Sequence, residues 1–156
     1  MKFMTLDIGD IAEDFELLGN DGSSFILSSY KNSKNVVLCF YPKNHLFACP
    51  SKKVFEMAES VISVFPQIES EDTVLFAISV DSVESQAKFV DEYKIPYVHL
   101  SDPKKIACKI YAGLNVVGLA KRSTFVIDKT GKVRNVFRDI DAKHHGSQIL
   151  ESLKDI

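Results

Sequence analysis

The sequence predicts an α/β fold: a mixed sheet with helices on both faces, finishing in a β-hairpin and a helix. Three observations predict it. Apolar runs of strand length alternate with stretches of helical period. Late in the chain, Asp128-Lys129-Thr130-Gly131 stands between two apolar stretches and marks a hairpin. No repeat, low-complexity segment or linker-like stretch interrupts the 156 residues. A single domain over 1–156 is therefore expected, long enough to bury a core without staples.

The elements follow in order. "FELLGNDGSSFIL" (Phe15 to Leu27) reads as a small hairpin turning at Asn20-Asp21-Gly22 and covering one end of the sheet. "NVVLCFY" (Asn35 to Tyr41) is a continuous apolar run, the pattern of a buried central strand. From Lys52 to Phe65 the apolar positions Val54, Phe55, Ala58, Val61, Ile62 and Phe65 form one helical face, and Pro66 should end the helix. "TVLFAIS" (Thr73 to Ser79) is a second buried strand. In "DSVESQAKFVDEY", Asp81 and Glu84 stand in capping-box spacing, and Val83, Ala87 and Val90 line one side. "YVHLSDP" gives a short strand, then Asp102 as N-cap and Pro103 at the first helical position. That helix should stop near Gly113, with Ile106, Ala107, Ile110 and Tyr111 as its apolar face. Gly131 supplies the positive φ of the later hairpin. The last helix should start near Asp141 and bury Ile149, Leu150, Leu153 and Ile156.

Composition excludes several functions. Hydrophobic residues make up 46% and charged residues 26%, which argues against disorder. The net charge is -2 and no basic stripe appears, so nucleic acid is not an expected partner. No run approaches the roughly 20 apolar residues of a membrane span. The opening "MKFMTLDIGDIAEDF" has early acidic residues and no apolar core of a signal peptide, so a reducing cytoplasmic setting is expected. The three cysteines, Cys39, Cys49 and Cys108, fit no zinc spacing, and no metal or cofactor is expected.

Cys49 is the candidate for chemistry. It follows a strand and a polar turn, and Pro50 and a helical pattern follow it. With Pro50 at the first helical position, the sulfur lies where free backbone N–H groups and the positive end of the macrodipole converge. Lys43, Lys52 and Lys53 add positive potential. Such surroundings favour the thiolate, which is the nucleophile. A bare cysteine is more often inert filler; the strand–loop–Cys–Pro–helix context reverses that weighting.

The residues carry a resemblance. "GDIAEDFELLGNDGSSFILSSYKNSKNVVLCFYPKNHLFACP", "AISVDSVESQAKFVDEYKIPYVHLSDP" and "KRSTFVIDKTGKVRNVF" resemble a peroxiredoxin of the bacterioferritin-comigratory (Q-type) branch, in order and over nearly the whole chain. The resemblance implies a thioredoxin-like fold and reduction of hydroperoxides by a peroxidatic cysteine that becomes a sulfenic acid. The family's loop motif is Pro-x-x-x-Thr-x-x-Cys, joined by an arginine from the later hairpin. Pro42 matches the proline, which shields the thiolate. Cys49 matches the peroxidatic cysteine. Arg122 matches the arginine, which stabilises the thiolate and polarises the O–O bond. Leu46 stands where the family's threonine hydroxyl bonds the peroxide, and leucine has no such group. Lys52 replaces an acidic residue found three after the cysteine in many members. Val54 stands where many Q-type members carry a resolving cysteine, so no intrahelical disulfide can form. The substrate expected is hydrogen peroxide or an organic hydroperoxide, whose apolar tail would pack on Leu46 and Phe47. The reductant implied is thioredoxin, with glutaredoxin or glutathione as the alternative, acting on a monomer or weak dimer. Loss of the threonine motivates a second reading, a catalytically weakened relative serving as redox sensor or binding module.

The remaining candidates divide simply. Cys39 lies inside an apolar strand and reads as core. Cys108 is the candidate resolving cysteine, but a half-buried bystander beside its helix's apolar face is preferred. His144 and His145, adjacent and therefore on different helical faces, read as surface residues and a weak metal pair. His45 is the nearest polar replacement for the missing threonine. Asp81 is assigned to capping.

Overall fold

The computed structural model describes residues 5–44, 51–138 and 140–156, with 51–54 described by backbone alone. Seven strands form one mixed sheet. They are β1 (Glu16–Gly19), β2 (Ser24–Ile26), β3 (Asn35–Phe40), β4 (Thr73–Ser79), β5 (Val98–Ser101), β6 (Ser123–Ile127) and β7 (Val133–Phe137), in the order β2-β1-β5-β4-β3-β6-β7. β3, β4 and β5 run parallel, and the remaining pairings are antiparallel. Four helices complete the fold: α1 (Ser51–Ser70), α2 (Val83–Tyr93), α3 (Ile106–Ile110) and α4 (His145–Lys154).

β3 is buried along its whole length because both faces are covered. Val36, Leu38 and Phe40 point to one side, where they pack with Ala107, Cys108 and Tyr111 around α3. Val37 and Cys39 point to the other, with Tyr41 just beyond the strand, against Ala58 and Val61 of α1, Phe89 of α2 and Ile149 and Leu153 of α4. α3 thus lies behind the sheet from α1. Full burial of a side chain such as Phe40 contributes roughly 1.5–3 kcal/mol.

Several local expectations need correction. Pro66 does not end α1, which continues to Ser70. Pro66 is exposed, so the unpaired carbonyl and ring crowding fall on the solvent side, while fully buried Ile68 extends the apolar face. Ser82, not Asp81, is the N-cap of α2, accepting from Ser85 N at 3.2 Å. The buried face of α2 centres on Gln86 and Phe89, with Val83, Ala87 and Val90 only half-buried. α3 starts at Ile106, so Asp102 is not its N-cap and Pro103 not its first residue. The Asp102 carboxylate nevertheless caps it from outside, accepting from Ile106 N at 2.9 Å and Cys108 N at 2.8 Å. That helix stops at Ile110, before Gly113, and Ile106 is largely exposed. α4 starts at His145, four residues beyond Asp141, and Ile156 at its end is exposed. The N-terminal hairpin does not cover an end of the sheet; β1 pairs with β5 and extends it sideways.

Candidate functional site

The C-terminal end of β3 delivers the chain to Tyr41, Pro42, Lys43 and Asn44. Phe40 pairs with Ser123 of β6. The pairing ends at that step, and Arg122, the residue before Ser123, sits at the same end of the sheet as Tyr41. Arg122 is half-buried with Nε shielded from solvent. Pro42 is also half-buried. The strand geometry therefore brings Pro42 and Arg122, 80 positions apart in the chain, to one end of the sheet. α1 begins at Ser51, immediately after Cys49 and Pro50 in sequence. This 20-residue helix has no acidic side chain in its first turn to offset the positive end of its dipole. Cys49, Leu46, Phe47 and His45 lie outside the described residues.

The other two cysteines are chemically quiet. Cys39 is buried in β3, and burial pushes its thiol up to about 12, partly offset by a hydrogen bond with Thr124. Cys108 has no exposed surface, so it is not half-buried as its helical position suggested. Burial raises its thiol pKa, and the Asp102 carboxylate beside it raises it further. Neither thiol has the electropositive, accessible surroundings of a reactive cysteine.

Beneath the Pro42 stem lies a buried polar network that the sequence did not announce. The Tyr41 hydroxyl is 2.6 Å from Asn44 Oδ1, 2.9 Å from Gln86 Oε1 and 2.8 Å from His99 Nδ1. Asn44 donates from its backbone N–H to Asp81 Oδ2 at 2.9 Å. Asp81 also accepts from Ser79 Oγ at 2.6 Å, so this carboxylate ties the stem to β4 rather than capping a helix. Burial holds His99 far on the neutral side, with its pKa down to about 3. The one available signal was Gln86, a polar residue on the same helical face as Phe89.

His145 is a second surprise. It is fully buried, not superficial, with Nε2 2.6 Å from Thr124 Oγ1 in β6. His144 alone is exposed, 2.7 Å from the Asp141 carboxylate. Among the described residues no group of three His, Cys, Asp or Glu side chains is placed to hold a metal ion. Among them, too, no helix is long and apolar enough to cross a membrane.

The seven-stranded mixed sheet flanked by helices is a thioredoxin-like fold, and the solved structures it resembles are peroxiredoxins, a class of thiol peroxidases. Residues 8–136 match the model of the AhpC/TSA family, and the chain belongs to that family. Within it the chain is a Q-type peroxiredoxin, a thiol-dependent peroxidase. It is 35% identical to peroxiredoxin Bcp of Bacillus subtilis, over 98% of each chain. Crystal structures agree. Peroxidoxin BcpB of Mycobacterium tuberculosis is 28% identical with a TM-score of 0.82, covering 97% of this chain and 98% of the other. A mutant of PrxQ from Xylella fastidiosa is 25% identical with a TM-score of 0.86, at the same coverage. The chemistry of the family implies a peroxide substrate and a thiol reductant.

Proposed function

We propose that Cys49 is the peroxidatic nucleophile, Arg122 its electrostatic partner and Pro42 its shield, within one domain spanning 1–156. The carrying observation is the β3–β6 register, which pairs Phe40 with Ser123 and so brings the Pro42 stem and Arg122 to the same end of the sheet. The Cys49 thiolate attacks the terminal oxygen of the hydroperoxide. The S–O bond forms as the O–O bond breaks, and the alcohol or water leaves with the proton. The guanidinium, always charged, stabilises both the thiolate and the negative charge that builds on the leaving oxygen. The immediate product is the Cys49 sulfenate, which takes a proton from solvent water to become the sulfenic acid.

Reduction then requires a second thiol. Cys108 is sealed on the face of the sheet opposite α1, and Cys39 is sealed within β3. We therefore assign resolution to an external thiol. It attacks the sulfenic sulfur, releases water and forms a mixed disulfide, and a further thiol then displaces Cys49. Thioredoxin is the reductant this reading favours, in a cytoplasmic setting, with the enzyme a monomer or weak dimer. The substrates are hydrogen peroxide and organic hydroperoxides, the latter packing their tails on Leu46 and Phe47.

Dimedone trapping after mild peroxide tests the assignment. Label is expected at Cys49 and at neither Cys39 nor Cys108. Arg122→Ala should slow Cys49 oxidation by about a hundredfold, the typical loss of one preorganised donor. Label at Cys108 or Cys39 with none at Cys49, or an unslowed Arg122→Ala, would remove the corresponding role.

A further inference from the structure

Asn44 is the last described residue before the segment that contains Cys49. It is fully buried, and six residues separate it from the start of α1. Its side chain is fully engaged. Nδ2 donates to Ser85 Oγ and to Gln86 Oε1, both at 3.0 Å, while Oδ1 lies 2.6 Å from the Tyr41 hydroxyl.

The direction of every hydrogen bond follows from one backbone carbonyl. Leu100 O can only accept, so the group 3.0 Å from it must be the amide nitrogen of Gln86. Gln86 Oε1 then faces Asn44, which must present Nδ2 to it. Asn44 Oδ1 therefore faces Tyr41, whose single proton goes to it, the shorter of two carbonyl contacts. With that proton spent, the Tyr41 oxygen can only accept from His99. His99 thus carries its proton on Nδ1 and leaves Nε2 bare. Nε2 is buried with no hydrogen-bond partner among the described residues, and His99 lines a cavity of about 20 Å³ with Cys39, Tyr41 and Met57. The result is a directed relay: His99 Nδ1–H to Tyr41, Tyr41 O–H to Asn44 Oδ1, Asn44 Nδ2–H to Gln86, Gln86 Nε2–H to Leu100 O.

We propose that Asn44 is the positioning residue of the catalytic segment, clamped by this relay to β5 and α2 so that the chain leaves for Cys49 from one fixed point and direction. The proposal rests on Cys49 being the nucleophile. Pro42 lies between two clamped residues, Tyr41 and Asn44, and is held in place with them. The backbone N–H of Asn44 is fixed independently by Asp81, itself tied to Ser79 Oγ, while Ser101 Oγ donates to the Asp81 carbonyl at 2.6 Å. β4 and β5 thus hold the acceptor of this one amide, while α2 holds the Asn44 side chain. A misplacement of about 1 Å at a reacting group costs on the order of a hundredfold in rate, so a fixed origin for the segment bears directly on catalysis.

Stopped-flow oxidation of Cys49 by hydrogen peroxide, across pH, is the test. Asn44→Ala is expected to lower the second-order rate constant by about tenfold or more and to move the midpoint of the pH–rate profile upward. Tyr41→Phe, which deletes only the hydroxyl, should lower the rate in the same direction, and the double variant should be no slower than Asn44→Ala. Gly146→Ala, which strains the remote α1–α4 contact, should lose stability yet oxidise at the wild-type rate. That separates positioning from general destabilisation. Nitrogen-15 shifts of the His99 ring should report a protonated Nδ1. If Asn44→Ala does not fold, Ser85→Ala, which removes one acceptor of the clamp, and Tyr41→Phe carry the test. Rates within twofold of wild type in the folded variants, or a protonated Nε2 on His99, would overturn the proposal. A Cys49→Ser protein that still consumed peroxide would remove the nucleophile assignment and the clamp's purpose together. An inert Cys49→Ser beside an unslowed Asn44→Ala would overturn the clamp alone.

Discussion

Two buried neutral histidines, His99 and His145, should make stability fall with pH below about 6.5. His99 and His145 have pKa values held down to about 3 and about 4, against 6.5 for the free side chain, because burial disfavours the charged form. In the unfolded chain both return to 6.5. Below that pH the unfolded state binds more protons than the folded state, so stability falls as pH falls. The loss begins near pH 6.5 and ends only below the folded pKa values. Each histidine contributes a slope of about 1.4 kcal/mol per pH unit. From pH 6.5 to 4.5 the pair should remove roughly 4–5 kcal/mol, a large share of the 5–15 kcal/mol typical of a folded domain. Asp72, held down to about 2 by hydrogen bonds from Lys129 and Lys34, loses its contribution only as pH falls from its ordinary 3.8 toward 2, below the pH 6.5 to 4.5 range.

Urea unfolding at pH 7.5, 6.5, 5.5 and 4.5 measures the slope. His99→Gln and His145→Gln should each be less stable than wild type at pH 7.5, since each leaves a buried hydroxyl partner poorly matched. Each should also lose about half of the acid slope, and the double variant nearly all of it. A wild-type stability flat between pH 6.5 and 4.5 would refute the reasoning. So would a double variant that keeps the full slope, which would place the titrating groups elsewhere.

Three other outcomes are expected. Gly146→Ala would drive a Cβ into the Ser60 carbonyl oxygen and to 2.8 Å from Val64 Cγ2, forcing α4 off α1; a loss of about 1–3 kcal/mol should show in thermal melts. Leu46→Thr should raise the rate with hydrogen peroxide by up to about a hundredfold, and by less with cumene hydroperoxide, which gains from packing on leucine; equal gains with both in stopped-flow oxidation would show that the apolar side chain does not select substrate. Non-reducing peptide maps after peroxide should contain no Cys49–Cys108 disulfide, since a bridge requires Cα atoms within roughly 7 Å and Cys108 is sealed behind the sheet.

The strands were the most legible part of this fold, for a physical reason. β3, β4 and β6 are covered on both faces, and continuous apolar runs such as "NVVLCF" satisfy both faces at once. The β6–β7 turn was equally plain, because Gly131 adopts a φ of 87° that other residues resist. Helix ends were not legible. They depend on which polar atom reaches the free N–H groups, and Asp81, Ser82 and Asp102 are all competent acceptors. Only tertiary packing decides that Ser82 caps α2 while Asp81 turns inward to Asn44. His145 misled for a related reason. Its polarity signalled surface, but Thr124 offers it a buried partner 21 positions away.

The candidate site divides along the same line. Arg122 and Pro42 came from resemblance, and the β3–β6 register supplies a physical reason for their proximity. The relay through Tyr41 could not be read from any window of sequence. Its links join Tyr41 to Gln86 across 45 positions and to His99 across 58. Each residue alone is ordinary: a tyrosine after a strand, a glutamine in a helix, a histidine in a short strand. Their common feature is burial without charge, which costs free energy unless every donor finds an acceptor. A fold that retains such a cluster directly beneath the stem of its thiol segment, where leucine or phenylalanine would pack with no such requirement, constrains the geometry of that stem more than apolar packing would. Apolar contacts tolerate small slides, whereas a directed chain of hydrogen bonds anchored on one carbonyl has a single satisfied arrangement. In this chain, where Leu46 offers no hydroxyl, that arrangement is the described polar device nearest in sequence to Cys49.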